Sequence, residues 1–482
     1  MREKRIVIIG GGPGGYAAAL RAAALGAQVT LVENHYIGGT CLNYGCIPSK
    51  IMKTSADLYD KFKHAQNYGL KLNGTIDPDL SALMAKKEKI IQAQRNAILS
   101  LLKKSRIDVH QGRGVIKGRK LAGIIDADGR EKEIAFDSLF IAAESKPMNV
   151  PAFPFDGKSI LSSNDLLELK KIPESILIAG GGVIGCEFAF ILASLGTKVT
   201  IVEAMSRILP QDSIDDFCAR VLHREMKKRK IKVITDKSVK KAVVKTTASE
   251  PGLCVTLGPS PFSDQKEPPP DHFEEIKVEK MAVCIGRSPL SADLGLENAG
   301  IHTDNKGWIS ANDKMETSVQ DIYALGDILG PEKIMLAHTA VHEGFTAAEN
   351  AMGGNKKMNY KAVPSAVFTM PEIGCVGLTD AQAEEKGLDA ATATVQFRSL
   401  GKAHATGEIS GEAKLIFQNE TREVLGAHII GPCATDLISL GALAVNRKLT
   451  INDLADTVQA HPTLGEIWFE VSMKAAGKPL HG

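Results

Sequence analysis

The chain has 482 residues, enough for about three domains of roughly 150 residues each. Hydrophobic residues make up 44% and charged residues 24%, the balance of a globular chain with ordinary cores rather than a disordered or membrane-embedded one. Lys and Arg number 58 against 56 Asp and Glu, and a net charge of +2 argues against nucleic acid or an anionic membrane as the main partner.

The basic start, Met1-Arg2-Glu3-Lys4-Arg5, imitates the n-region of a signal peptide. The apolar stretch behind it is rich in glycine and reads as strand, turn and helix, so no signal peptide is expected. Arg5–Ile9 is a short β-branched run predicted as a strand, and Gly10-Gly11-Gly12-Pro13-Gly14-Gly15 follows as its turn. An Ala/Leu-rich helix is expected over 16–25, stopped by Gly26, and 28–32 is a second strand ending at Glu33. Residues 53–104 read as helix broken by Asp77-Pro78. Short strands alternate with glycine turns over 109–143, and Pro147, Pro151 and Pro154 mark a crossover out of the first domain. The opening signature then returns about 170 residues on: strand 176–179, turn Gly180-Gly181-Gly182-Val183-Ile184-Gly185, helix 186–195, Gly196 as its stop, and strand 198–202 leading to Glu203. Residues 258–271, carrying Gly258, Pro259, Pro261, Pro268, Pro269 and Pro270, read as a surface hairpin insertion without chemistry. Beyond Tyr360, strand-like stretches at 366–369, 394–397, 413–418 and 424–430 precede a terminal helical region, the pattern of a separate α+β domain. No apolar run reaches the ~18 residues of a membrane span, and a cytoplasmic location is expected by default. Aromatics at 5% beside 45 glycines also suit α/β architecture with close backbone–ligand approaches better than a β-sandwich.

Both turns fit G-x-G-x-x-G between a strand and a helix, through Gly10, Gly12, Gly15 and Gly180, Gly182, Gly185. The first glycine permits the tight turn, the second lets a pyrophosphate approach the backbone, and the third lets helix and strand pack closely. The phosphates then rest on a helix N-terminus, whose unpaired N–H groups favour negative charge. Glu33 and Glu203 each stand 18 residues after the third glycine, where a carboxylate accepts hydrogen bonds from an adenosine ribose. One such turn is weak evidence; two, each with strand, helix and distal Glu, imply two nucleotide-binding domains. A carboxylate at 203 repels a 2′-phosphate, which favours NAD over NADP, although Arg207 is close by in sequence.

The eight cysteines are Cys41, Cys46, Cys186, Cys218, Cys254, Cys284, Cys375 and Cys433. Eight in a chain this long is no disulfide scaffold, and only Cys41 and Cys46 are close in sequence. C-x4-C is not a common zinc spacing, and no second Cys/His pair matches it. In an ideal helix residues five apart would have Cα atoms roughly 8.7 Å apart, whereas a disulfide needs less than about 7 Å. A bridge therefore requires a distorted turn; Gly45 supplies backbone freedom, and Pro48 removes the amide that would bond to the Tyr44 carbonyl. Spacing alone leaves open two buried thiols that never pair. The position after a dinucleotide fingerprint favours a redox pair, with a helix N-terminus lowering thiol pKa.

The stretch Gly38-Gly39-Thr40-Cys41-Leu42-Asn43-Tyr44-Gly45-Cys46-Ile47-Pro48-Ser49-Lys50 resembles the redox-active segment of the class I pyridine-nucleotide-disulfide oxidoreductases, most of all their dihydrolipoamide dehydrogenase branch. The resemblance continues through residues 180–203, Ile322-Tyr323-Ala324-Leu325-Gly326-Asp327, Met335-Leu336-Ala337-His338 and His461-Pro462-Thr463-Leu464-Gly465-Glu466, in the family's order. It implies an α/β fold of two Rossmann-like dinucleotide-binding domains plus a C-terminal α+β dimerisation domain. The expected division is an FAD-binding domain over 1–150, an NAD-binding domain over 151–285, a central segment over 286–355 completing the FAD domain, and an interface domain over 356–482. It implies FAD on Gly10, Gly12 and Gly15 with Glu33 on the ribose, Gly114 towards the adenine, Asp327 on the ribityl chain and Ala337 at the flavin. Lys50, with Glu187 as its ion-pair partner, matches the cation near the flavin N5. NAD is implied on Gly180, Gly182, Gly185 and Glu203, with Gly286 among the cofactor contacts. Cys41 takes the role of interchange thiol and Cys46 that of the flavin-side thiol. His461, from the other subunit and oriented by Glu466, takes that of general base. The implied partners are a second copy of the chain and dihydrolipoamide on a lipoyl carrier domain of a 2-oxo acid dehydrogenase complex or glycine cleavage system.

The sequence departs from the family at Ala142-Ala143-Glu144-Ser145-Lys146-Pro147, where Ala-Thr-Gly-Ser is usual and Glu144 stands in place of a glycine near the cofactors. Gln459 replaces a frequent His and Gly465 a Ser, and no lipoyl domain is expected ahead of the first strand. These changes leave open an NAD(P)H-dependent reductase of another disulfide, a quinone or a metal ion, and a flavoprotein paralogue without turnover. Mercuric and large thioredoxin reductases carry redox residues near their C-termini, and no cysteine follows Cys433 here; soluble transhydrogenases lack the cysteine pair, present here.

Overall fold

A β-branched strand followed by a glycine turn and an Ala-rich helix recurs twice in the chain, and each copy nucleates its own parallel sheet. The computed structural model describes residues 3–246, 251–262 and 273–481. Two compact units result, one from Met1–Ile51, Ser81–Met148 and Gly286–Tyr360, the other from Met52–Leu80, Asn149–Ile285 and Lys361–Gly482.

In the first unit five strands pair in parallel in the order Ile322–Ala324, Ser138–Ile141, Arg5–Ile9, Gln28–Glu33 and Asp108–Gln111. Such strands are covered on both faces, and accordingly Ile6, Val7, Ile8 and Ile9 are all buried. Helix Pro13–Ala24 crosses helix Ala337–Ala351 closely: a Cβ on Gly344 would lie 2.5 Å from the Gly14 carbonyl oxygen. A three-stranded antiparallel sheet (Arg113–Gly118, Leu121–Ile125, Glu131–Ala135) and a two-stranded ladder (Ser145–Pro147 with Arg287–Pro289) complete the unit. The first strand of the ladder ends at Pro147, the first of the three prolines expected to mark a crossover. Pro147 supplies no N–H, and the only partner strand is on one side, where an edge position tolerates proline.

The second unit repeats the parallel order with Lys232–Ile234, Lys198–Val202, Ser175–Ala179, Lys280–Val283 and Ile160–Ser162. An antiparallel sheet of Lys237–Thr246, Pro251–Pro259 and Glu274–Val278 packs into its core. Gly258 and Pro259 of the expected insertion end a strand there, while Pro268, Pro269 and Pro270 lie outside the described residues. The C-terminal part is an antiparallel sheet in the order Ser365–Val367, Glu372–Gly377, Val424–Gly431, Glu412–Gln418 and Ala390–Gln396. Helices Ala434–Arg447 and Glu466–Ala475 pack against it, and Gly441 makes room for Trp468, since a Cβ there would lie 2.7 Å from the indole. The helical stretch expected over 53–104, broken into two pieces at Asp77-Pro78, is the helices Cys46–Lys63 and Leu80–Lys104, with a short 3₁₀ turn at Ala65–Tyr68 between them. No helix among the described residues is long and apolar enough to cross a membrane.

Candidate active site

The two glycine turns have the same geometry. Gly10 and Gly180 adopt φ of +105° and +104°, a region that an L side chain rarely enters. A Cβ on Gly10 would fall 2.1 Å from the Ala142 carbonyl oxygen, and one on Gly180 2.4 Å from that of Cys284. The third glycines are equally tight: a Cβ on Gly15 would meet Gly10 O at 1.9 Å, and one on Gly185 would meet Gly180 O at 2.0 Å. Both distal carboxylates are buried and grip their own turn. Glu33 accepts the Gly11 N–H at 2.7 Å and the His35 N–H at 2.7 Å; Glu203 accepts the Gly181 N–H at 2.6 Å and the Met205 N–H at 2.8 Å. A carboxylate offers about four acceptor sites, so each Glu keeps capacity for ribose hydroxyls while fixing the cradle. The structural half of that role was not read from the sequence. Arg207, the residue that complicates the NAD reading, is committed to backbone carbonyls: Leu209 at 2.5 Å and Ile214 at 3.1 Å.

The cysteine segment is two helices meeting at a break. Helix Gly39–Tyr44 carries Cys41, helix Cys46–Lys63 opens on Cys46, and Gly45 between them sits at φ −148°, ψ −106°. The expected distortion is therefore present, and Gly45 carries it. Pro48 falls in the first turn of the second helix, where its missing N–H would have had no intrahelical partner. Both cysteines are free thiols, and the Cys41 thiol shares a hydrogen bond with Cys46. That bond, with burial, pushes the Cys41 thiol well above its ordinary range, and Lys50 acts in the opposite direction. Cys41, Cys46 and Lys50 are thus brought together. Tyr16, from the helix after the first glycine turn, is also within electrostatic reach of Cys41.

Asn43 staples this segment in place. Its amide donates to the carbonyls of Gly39 at 2.8 Å and of Tyr36 and Ile37 at 3.3 Å, and its oxygen accepts from Arg95 Nε at 2.6 Å. Arg95 in turn lies 4.0 Å over the Tyr36 ring. Asn43→Leu, close in volume, strands these partners in a buried setting. The expected cost is about 1–3 kcal/mol, read as a lowered urea midpoint; an unchanged midpoint would show the staple to be dispensable.

Asp327 is tied to Ser145, whose hydroxyl donates to it at 2.6 Å; Arg287 donates to the same hydroxyl at 2.6 Å and lies 3.5 Å from Asp327. Ala337 is the first residue of its helix. Gly114 makes room for Ile9, since a Cβ there would lie 2.9 Å from it, and Gly286, at φ +136°, pairs its carbonyl with the Met148 N–H at 3.0 Å. Glu144 stands at φ +69°, a left-handed conformation that costs a non-glycine residue about 1–3 kcal/mol. Its Oε1 accepts the Thr40 N–H at 3.1 Å and its Oε2 the Thr40 hydroxyl at 2.8 Å. Burial, opposed by these bonds and reinforced by Glu33 and Asp327, pushes its carboxyl up to about 7.

In the second unit Glu187 is buried on helix Val183–Ser194 and accepts the Phe368 N–H at 3.0 Å. A Cβ on Gly182 would lie 3.2 Å from the Gln211 amide. His461 is 77% exposed, and its Nδ1 lies 2.8 Å from Glu466 Oε1. The other oxygen of Glu466 accepts the Thr463 N–H at 2.9 Å. Burial raises the Glu466 carboxyl, but the bonds from His461 and Thr463 outweigh it and hold the group below the usual carboxylate range.

Residues 4–344 match the family Pyridine nucleotide-disulphide oxidoreductase, and residues 363–471 match its dimerisation domain. The dihydrolipoyl dehydrogenase of Chlamydia pneumoniae is 36% identical over 481 residues, covering 100% of this chain and 98% of the relative. That of Bacillus subtilis (strain 168) is 37% identical over 484 residues, covering 99% of each. Among solved structures, LpdA from Mycobacterium tuberculosis superposes with a TM-score of 0.89 at 28% identity, covering 98% of this chain and 99% of that one. The HOCl-induced flavoprotein disulfide reductase RclA from Escherichia coli gives 0.82 at 25% identity, covering 97% and 99%.

Proposed function

The chain belongs to the pyridine nucleotide-disulphide oxidoreductase family, and from that membership we propose that it is a dihydrolipoyl dehydrogenase, oxidising a dihydrolipoyl dithiol to the cyclic disulfide with NAD+ as final acceptor. The observation that carries this reading is the hydrogen-bonded pair of thiols, Cys41 and Cys46, held across the Gly45 break beside Lys50. Net, the dithiol gives up two electrons and two protons; NADH and one proton leave.

The residues suit both cofactors. The first cradle offers Gly10, Gly12 and Gly15 with Glu33, and Asp327 and Ala337 belong to the same unit. The second offers Gly180, Gly182, Gly185 and Glu203, and Arg207, engaged with its own loop, is not offered to a 2′-phosphate, which supports NAD. When bound, FAD supplies the two-electron relay between the cysteine dithiol and the nicotinamide. Glu144 is the one residue set against this fit, taken up below.

The protein's own steps are thiol chemistry. With Cys41 and Cys46 oxidised, a substrate thiolate attacks Cys41, the Cys41–Cys46 bond breaks, and a mixed disulfide forms. The second substrate thiolate then attacks its own linked sulfur, closing the cyclic disulfide and freeing Cys41. His461 of the partner subunit accepts a substrate proton, with Glu466 fixing its ring. Exposure of His461 supports a role towards a second copy of the chain. Lys50, beside Cys41, supplies fixed positive charge. The dithiol is carried on a lipoyl domain of a 2-oxo acid dehydrogenase complex or glycine cleavage system.

The test is NAD+ reduction by dihydrolipoamide on flavin-loaded protein, with glutathione disulfide and NADH as the comparison. Turnover with dihydrolipoamide alone is expected. Flavin-loaded protein that turns over only glutathione disulfide, or neither, would overturn the substrate assignment.

A further inference from the structure

Glu144 lies over the one spot of the first glycine turn that has to stay bare. Gly12 is the second glycine of the fingerprint, the position where a missing side chain lets a pyrophosphate reach the backbone. A Cβ on Gly12 would lie 3.0 Å from Glu144 Oε1, and one on Gly39 would lie 1.9 Å from the same oxygen. The carboxylate therefore fills the space between the glycine turn and the start of the cysteine helix. It also takes two donors there, the N–H and hydroxyl of Thr40. An anion cradle built for phosphate already holds an anion from the chain itself.

We propose that the Glu144 carboxylate is an internal competitor for the pyrophosphate of FAD, so that flavin affinity is set by whether Glu144 is seated on Thr40 or displaced from it. The inference rests on the reading that the first cradle takes FAD. Two like charges cannot share that space without a large penalty, because the site is partly shielded from water. Glu33 and Asp327 add negative charge to the same region, and Arg287 is engaged with Asp327 and Ser145. Thr40 contributes neutral donors, and these serve whichever anion is seated. With its carboxyl pushed up to about 7, Glu144 changes charge within the neutral range. The sign follows directly. Below that point Glu144 is neutral and gives way; above it the carboxylate is charged and opposes the cofactor.

The experiment measures FAD dissociation constants by flavin fluorescence on full-length chain stripped of flavin, for the natural protein, Glu144→Gly and Glu144→Gln, between pH 6 and pH 8. The pyrophosphate of FAD does not titrate there. If the competent fraction is the protonated one, the apparent constant scales inversely with that fraction and rises about tenfold across the range. Glu144→Gly and Glu144→Gln are expected to bind more tightly at pH 8 and to change by less than about twofold across the same range. The glutamine variant keeps size and backbone strain, so a purely structural role would leave its profile like that of the natural protein. A flat profile for the natural protein, or a glutamine variant that follows the same slope, would overturn the proposal while leaving the cradle a flavin site. Failure of all three proteins to bind FAD at any pH would instead overturn the cradle reading, and the competition with it.

Discussion

Cys46→Ser is expected to lower kcat for dihydrolipoamide oxidation by at least about a thousandfold, ~4 kcal/mol of transition-state stabilisation, while FAD stays bound. Serine cannot form or break the sulfur–sulfur bond through which the electron pair enters the protein, so the loss is one of chemistry rather than of binding. The fold should accept the change. Cys46 is the first residue of its helix, half-buried, and its neighbours Ser49 and Gly45 hold the helix start through Ser49 N–H to Gly45 O at 3.1 Å. None of the cradle contacts of Gly10, Gly12, Gly15 or Glu33 passes through its sulfur. Cys41→Ser should be as damaging, since it removes the other half of the pair. The two variants together separate dithiol chemistry from a diaphorase that uses only the bound flavin. NADH oxidation by an artificial acceptor should survive in both, and dihydrolipoamide turnover in neither. Appreciable lipoamide activity in Cys46→Ser, with flavin content unchanged, would remove the thiol pair from the mechanism.

What could be read from the sequence was whatever a single residue type enforces by itself. The two parallel sheets follow from glycines that must adopt positive φ or leave no room for a Cβ, and Gly10, Gly15, Gly180 and Gly185 meet those demands in the structure. The break between Cys41 and Cys46 was legible because Gly45 frees the backbone locally, whereas Pro48, expected to help, sits unstrained in the first turn of the next helix. Contacts made by chain segments far apart were not legible. Glu144 was recognised as a departure, but its seat on Thr40 joins positions 104 apart in the chain, and no spacing rule reaches that far. The Asn43–Arg95 staple is equally silent, since an Asn inside a redox segment reads as a turn residue. Strand Glu372–Gly377 escaped detection because Gly374 interrupts its short apolar run. There a Cβ on Gly374 would lie 2.5 Å from the Ala434 carbonyl, so helix packing, not strand propensity, dictates the residue. Glu33 and Glu203 are a further case: spacing pointed to a ribose, and only the fold shows the carboxylates bracing the backbone N–H of Gly11 and Gly181.

His461→Gln is expected to lower kcat by about 10²–10⁴-fold with little effect on FAD content. The argument starts from Glu466. A carboxylate only accepts hydrogen bonds, so the 2.8 Å contact requires the proton on His461 Nδ1 and leaves Nε2 bare, the atom able to take a thiol proton. Glu466 is held below the usual carboxylate range by His461 and the Thr463 N–H, against burial. Its charge is therefore present through the neutral range and is lost only on acidification, as pH falls through that depressed value. Across the working range the imidazole thus faces a fixed anion, which stabilises the imidazolium that forms on proton transfer. Glutamine at 461 keeps a polar side chain of similar reach but supplies no base near neutrality. Glu466→Gln separates orientation from charge: its amide oxygen can still accept from Nδ1–H, so the tautomer survives while the anion does not. A smaller loss, about tenfold or ~1.4 kcal/mol, is expected for that variant, together with a shifted pH–rate profile. A full-activity His461→Gln enzyme would transfer the base role elsewhere.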